Sequence, residues 1–166
     1  MSEPTPLSEQ AQVAQDVLNE MIRQMEFPAP VSIQASETAE QVTLDLHSEE
    51  PLGILIGKGG QTLNAIELLV TLITRHKTGS YGKRLVVDAE GYRKQQSVRI
   101  EEMAQAAAQR VLESGESEEL PAMNARDRRV AHMAIADIEG VKSTSIGEEP
   151  YRRLIICLPG QEPVEE

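Results

Sequence analysis

The chain has 166 residues, 40% of them hydrophobic but only 2% aromatic, and carries a formal net charge of −11. That length suits one ordinary domain or two small ones, whose cores must be built from Leu, Ile, Val, Met and Ala. A single cysteine, Cys157, excludes an internal disulfide and suits a reducing cytosol.

Residues 1–6 are polar and proline-bearing, and a disordered N-terminus is expected over 1–7. Met1–Gln12 lacks the basic and apolar regions of a signal peptide. No apolar run approaches the roughly 20 residues that span a bilayer, so a cytoplasmic protein without direct membrane insertion is expected. Leu7, Ala11, Ala14, Leu18, Met21 and Met25 recur every three or four positions, the mark of an amphipathic helix, which Phe27–Pro30 ends. Val31, Ile33 and Ala35, then Val42, Leu44 and Leu46, alternate with polar residues. They predict two strands with one buried face each, joined by a turn near Glu37–Glu40.

Ser48-Glu49-Glu50-Pro51 reads as a helix start, with a short helix over Leu52–Ile56. A second helix runs from Gln61 to about Arg75, with Leu63, Ile66, Val70 and Ile73 on one face. Gly79–Gly82 is a turn before a strand at Lys83–Asp88. A long helix from about Gly91 to Leu112 is expected to bury Val98, Met103, Ala107 and Val111. Ser114–Glu119 is an acidic link. Asn124 can cap a helix over about 125–138, and strands at about Val141–Ser145 and Arg152–Leu158 meet across Gly147–Pro150. An acidic tail covers 159–166.

Charge is unevenly placed. Residues 1–50 hold one base, Arg23, against ten acids. From 57 to 84 the bases Lys58, Arg75, Lys77, Lys83 and Arg84 face only Glu67. Arg126, Arg128 and Arg129 surround Asp127. Phosphate binding responds to local potential, because exposed charges are screened beyond roughly 10 Å.

Gly57-Lys58-Gly59-Gly60 puts a bare turn between two apolar helices. Glycines there permit positive φ and close approach of another backbone. The following helix offers unpaired N–H groups to an anion, and Lys58 adds a positive charge. A nucleotide-binding P-loop is excluded: only Ile54-Leu55-Ile56 separate Gly53 from Gly57-Lys58, and Gly59 follows where Ser or Thr is required. A plain helix–helix turn with an incidental lysine is the competing reading. Arg128 and His132, four apart, share a helical face with Arg129, while Val130, Ala134 and Ile138 lie opposite. Arg forks two donors onto a phosphate and His adds another. Taken alone, this is equally a solvated helix face.

The flanking residues bear on both motifs. Ile54-Leu55-Ile56-Gly57-Lys58-Gly59-Gly60-Gln61-Thr62-Leu63, followed by helix and strand, closely resembles a KH domain, and the element order is similar to the type II arrangement, over residues 8–89. Asn124-Ala125-Arg126-Asp127-Arg128-Arg129-Val130-Ala131-His132, between a long helix and a hairpin, resembles an R-three-H domain over residues 90–158. The pair is similar to the bacterial Jag (SpoIIIJ-associated) family of RNA-binding proteins, without the separate N-terminal Jag domain of its longer members.

The resemblance implies an α/β (α+β) fold of two small modules joined by the long helix. It also implies binding of single-stranded RNA or single-stranded DNA, with a role in post-transcriptional regulation. In KH domains this loop clamps about four nucleotides. Carried over, Gly57, Lys58, Gly59 and Gly60 would hold phosphates. Bases would lie over a groove near Ile56, Leu63 and an edge strand with Lys83 and Arg84, and Arg128, Arg129 and His132 would add a second contact. The rival reading is a protein-interaction adaptor whose groove takes a peptide or another KH domain, in a homodimer or heterodimer.

No cofactor or metal is expected. His47, His76 and His132 are far apart in sequence with no ligand spacing to Cys157. Cys157 falls in a predicted buried strand, where it serves as a small core residue. With no nucleophile elbow or zinc-protease motif, a non-catalytic protein is expected.

Overall fold

The computed structural model describes residues 7–163; positions 1–6 of the expected disordered segment 1–7 and the last residues of the acidic tail, 164–166, lie outside them, while Leu7 packs against the first core. The chain divides into two compact units, residues 1–93 and 94–166.

In the first unit α1 (Glu9–Gln24) starts at Ser8, whose hydroxyl accepts from the Ala11 amide at 3.3 Å. Its inward face is Ala11, Ala14, Val17, Leu18 and Ile22. Met25, expected on that face, is 43% exposed, because it sits at the C-cap, where the helix has ended. β1 (Ser32–Glu37) and β2 (Gln41–His47) form the expected hairpin. Thr38 closes its turn, donating from its amide to the Gln41 carbonyl at 2.8 Å. Val42, Leu44 and Leu46 point into the core on alternate positions.

α2 (Gly53–Ile56) has Leu52 rather than Ser48 before it. Ser48 instead folds back on the turn after β2, donating to the Pro30 carbonyl at 3.1 Å and accepting from the Glu50 amide at 3.2 Å. α3 (Gln61–Thr78) buries Leu63, Ile66, Val70 and Thr74. Ile73, expected among them, is 37% exposed. At about 100° per residue it falls about 80° from Leu63, whereas Thr74 falls within about 20°.

β3 (Arg84–Ala89) runs parallel to β2, giving the sheet order β1-β2-β3 with β3 at an edge. α1 and α3 pack together, and the side chains of α1, α2, α3 and the sheet fill one core.

α4 (Tyr92–Ser114) begins at the end of the first unit and continues into the second. Its buried stripe is Ile100, Ala104, Ala107, Ala108 and Val111. Val98 is 46% exposed, contrary to expectation, because it lies off the side of the helix that this stripe defines. That stripe shares one core with Ala131 and Ile135 of the helix that follows and with Leu154 and Ile156 of the second sheet. That sheet has order β4-β6-β5, with β4 (Glu118–Glu119), β5 (Lys142–Ile146) and β6 (Arg153–Cys157).

The acidic link therefore ends in a short strand, held by Arg110–Glu118 at 2.7 Å and Arg153–Glu119 at 2.6 Å. α5 (Ala125–Ile135) is capped by Asn124, which accepts from the Asp127 amide at 3.0 Å. Cys157 is buried on β6, and desolvation pushes its thiol up. Among the described residues no helix is long and apolar enough to cross a membrane, and no cluster of side chains is arranged to hold a metal ion.

Candidate nucleic-acid interface

α2 ends at Gly57 (φ 73°, ψ 174°), whose amide donates to the Gly53 carbonyl at 2.8 Å. One 3-10 turn over Lys58–Gly60 then leads into α3, with Gly59 at φ 59° and Gly60 at φ 77°. These left-handed conformations suit glycine, but the glycines face different surroundings. A Cβ on Gly57 would stand 2.2 Å from the Thr62 hydroxyl oxygen and 2.9 Å from the Thr62 amide nitrogen. On Gly60 it would stand 2.9 Å from the Tyr92 ring. On Gly59 it would meet nothing within 4 Å. The loop is thus braced from behind by Thr62 and Tyr92 and bare in front at Gly59. Lys58 is exposed beside it. The amides opening α3 stand at the positive end of the helix dipole, where an anion is favoured.

The remaining expected groove residues are distributed differently. Leu63 is fully buried in the core and offers no surface, because it leads the inward face of α3. The exposed apolar neighbour of the loop is Ile54, at 68%, with Ile56 partly buried.

Lys83 pairs with Glu37 at 2.8 Å and donates to the Thr38 carbonyl at 2.7 Å. Lys83, with the Ser8 amide in support, holds the Glu37 carboxyl down at about 2. Arg84 is exposed. Both residues sit at the start of β3, whereas the glycine loop is backed by Tyr92, just past its end. Five residues at about 3.3 Å each put roughly 17 Å between the two ends.

Along the β3 edge, the Val87 amide donates to Glu67 at 3.0 Å and its carbonyl accepts from Arg93 at 2.7 Å. Arg93 also reaches Glu67 at 2.7 Å and Asn64 at 2.8 Å. This bracket occupies edge groups that are otherwise open to pairing. The sequence carried no sign of it, because its partners come from three elements.

In the second unit Arg128 does not lie on an outward basic face. It is 9% exposed, on the same side of α5 as Ala131 and Ile135. Its guanidinium donates to the Met123 carbonyl at 2.6 Å and to Glu149 at 2.6 Å, and it holds the Glu149 carboxyl below the usual carboxylate range. Arg129 and His132 are exposed, with His132 Nδ1 2.6 Å from the Ser143 hydroxyl on β5. Arg128, Arg129, His132, Ser145, Arg152 and Leu154 line a shallow depression of about 310 Å³. Arg152 and the two serines, from the β5–β6 hairpin, were absent from the expected site, since only the fold brings that hairpin to α5.

Comparison with known proteins gives both units a family. Residues 12–88 match the KhpA/KhpB KH domain, and residues 98–158 match the R-three-H domain. The chain belongs to the KhpB (Jag) family. It is 33% identical over 143 residues to an RNA-binding protein KhpB of Clostridium symbiosum, covering 86% of this chain and 64% of that protein. It is 36% identical over 109 residues to an RNA-binding protein KhpB of Bacillus subtilis, covering 64% and 52%. The chain thus spans between half and two thirds of the length of these relatives.

Proposed function

We propose that this chain is a non-catalytic, cytoplasmic binder of single-stranded RNA, acting in post-transcriptional regulation. Its two modules, a KH domain over 8–89 and an Arg-x-x-x-His domain over 90–158, each hold phosphates. The observation that carries the reading is the glycine loop: Gly57 and Gly60 are sterically required by Thr62 and Tyr92, while Gly59 and Lys58 stand open beside the first amides of α3. Membership of a family with relatives named as RNA-binding supports it.

In the second module Arg129 and His132 contact the backbone, and Arg128 anchors the β5–β6 turn through Glu149. Tethering two weak sites on one strand raises the effective concentration of the second. The test is binding of labelled single-stranded RNA and DNA, with Lys58→Asp and with Arg129→Ala combined with His132→Ala. Loss with either alteration, with the fold retained, is expected. Unchanged affinity in both would remove the reading.

A partner of KH type is a second reading, favoured by one feature of α3. Opposite its buried face, Leu68, Leu69 and Leu72 are 58%, 47% and 50% exposed, an apolar stripe at helical spacing. Sedimentation of Leu69→Asp beside the parent chain tests it, a change from dimer to monomer being the expected result.

A further inference from the structure

We propose a second single-strand contact on the first unit, at the C-terminal end of α3, with Tyr81 as a stacking platform for a nucleobase. The proposal deepens the single-strand-binding reading and rests on it. Tyr81 is 80% exposed and Tyr151 76%; what sets Tyr81 apart is the basic side chain stacked on it. The Arg75 guanidinium lies over its ring at 4.8 Å from the centroid. An arginine on one face fixes the ring's orientation by cation–π attraction and leaves the other face for a base.

The surroundings match the charge of a nucleic acid. Arg75, His76, Lys77 and Arg84 are all exposed. The Glu37 carboxylate is already paired with Lys83, and the acids beside the patch are Glu40, whose carbonyl accepts from the Arg84 amide, and Glu9, next to the Gln10 that holds the Lys83 backbone. Below the Leu68–Leu72 stripe the surface thus changes from apolar to basic and aromatic, the combination that holds single strands without sequence preference.

The platform is also built in advance. Gly79 ends α3 in the left-handed conformation with its amide on the Arg75 carbonyl at 2.9 Å. On the other side the Gln10 side-chain amide clasps the Lys83 backbone, donating to its carbonyl and accepting from its amide, both at 2.8 Å. With both ends of the Gly79–Gly82 turn pinned, little ordering is left to oppose binding. The 18 residues of α3 separate this patch from the glycine loop by about 27 Å. A strand held at the loop therefore reaches Tyr81 only if it extends beyond the four or so nucleotides the loop clamps.

The experiment measures anisotropy of labelled oligouridylate and oligodeoxythymidylate, about four and about 12 nucleotides long, against the full chain. Tyr81→Ala is expected to weaken the longer oligomers at least about fivefold, as loss of one stacked base does, and to leave the shorter ones unchanged. Tyr81→Phe should bind like the parent. Lys58→Asp should weaken both lengths. Unchanged binding of the longer oligomers to Tyr81→Ala, or equal loss at both lengths, would overturn the proposal. Either result beside a functional loss in Lys58→Asp would leave the loop reading standing. Because the ring is exposed, the thermal melt of Tyr81→Ala should match the parent, separating lost binding from lost fold.

Discussion

Gly57 and Gly59 differ by two positions and by 14° in φ, yet alanine at each should have different consequences. Gly59, with ψ 25°, lies in the left-handed helical region, where a Cβ costs about 1–2 kcal/mol. Gly57, with ψ 174°, lies in a region essentially reserved for glycine, where it costs about 1–3 kcal/mol. Gly59→Ala adds nothing further, since its Cβ meets no atom within 4 Å. Gly57→Ala drives its Cβ to 2.2 Å from the Thr62 hydroxyl oxygen and 2.9 Å from the Thr62 amide nitrogen, against the roughly 3.5 Å or more that non-bonded atoms prefer.

The backbone contact cannot be relieved by rotating a side chain, so the start of α3 must shift, an overpacking cost of about 1–3 kcal/mol. Gly57→Ala should therefore lose about 2–6 kcal/mol and Gly59→Ala about 1–2 kcal/mol. Amide hydrogen exchange at Ile66 and Val70, on the buried face of α3, reads the stability of this unit alone. Adding Thr62→Ala to Gly57→Ala should restore part of the loss. RNA affinity should run differently: Gly59→Ala, well folded, should bind poorly because its methyl stands where the nucleic-acid backbone approaches. Equal exchange rates in the two single variants would refute the steric argument.

Arg128→Ala should destabilise the second unit by about 1.5–3 kcal/mol from the orphaned Met123 carbonyl alone, seen as faster exchange on α5, whereas His132→Ala should leave that exchange unchanged. Thr74→Val should raise the stability of the first unit by about 1 kcal/mol in chemical denaturation, because the buried Thr74 hydroxyl has no partner. Glu37, held at about 2 when folded against 4.5 ordinarily, contributes stability that is complete above about pH 4.5 and is lost as pH falls through about 2. Acid titration of the unfolding midpoint should show that decline, and Glu37→Gln should flatten it.

What the sequence reveals follows the range of the interactions involved. The α1 face, the hairpin and the glycine loop rest on local rules, period and positive φ, and they fold as those rules dictate. Ile73 and Thr74 show where hydrophobicity misleads: helical phase, not side-chain character, decides which is buried. β4 is built from Glu118 and Glu119, which have no strand preference; backbone pairing with β6 forms it, and Arg110 and Arg153 neutralise its two carboxylates. Arg128 is the most instructive residue. Its spacing from His132 is visible, but its inward direction is set by Glu149, 21 residues away. Likewise the Glu67–Arg93 bracket on β3 joins residues 26 apart.

The most direct measurement is an amide chemical-shift titration of the full chain with single-stranded RNA at low salt. The largest changes are expected at Gly57–Thr62, with a second set at Arg129 and His132, both weakening as salt rises with a log–log slope of about −0.7 per phosphate contacted. Shifts confined to the exposed stripe of α3, or salt-insensitive shifts with the glycine loop silent, would contradict that expectation.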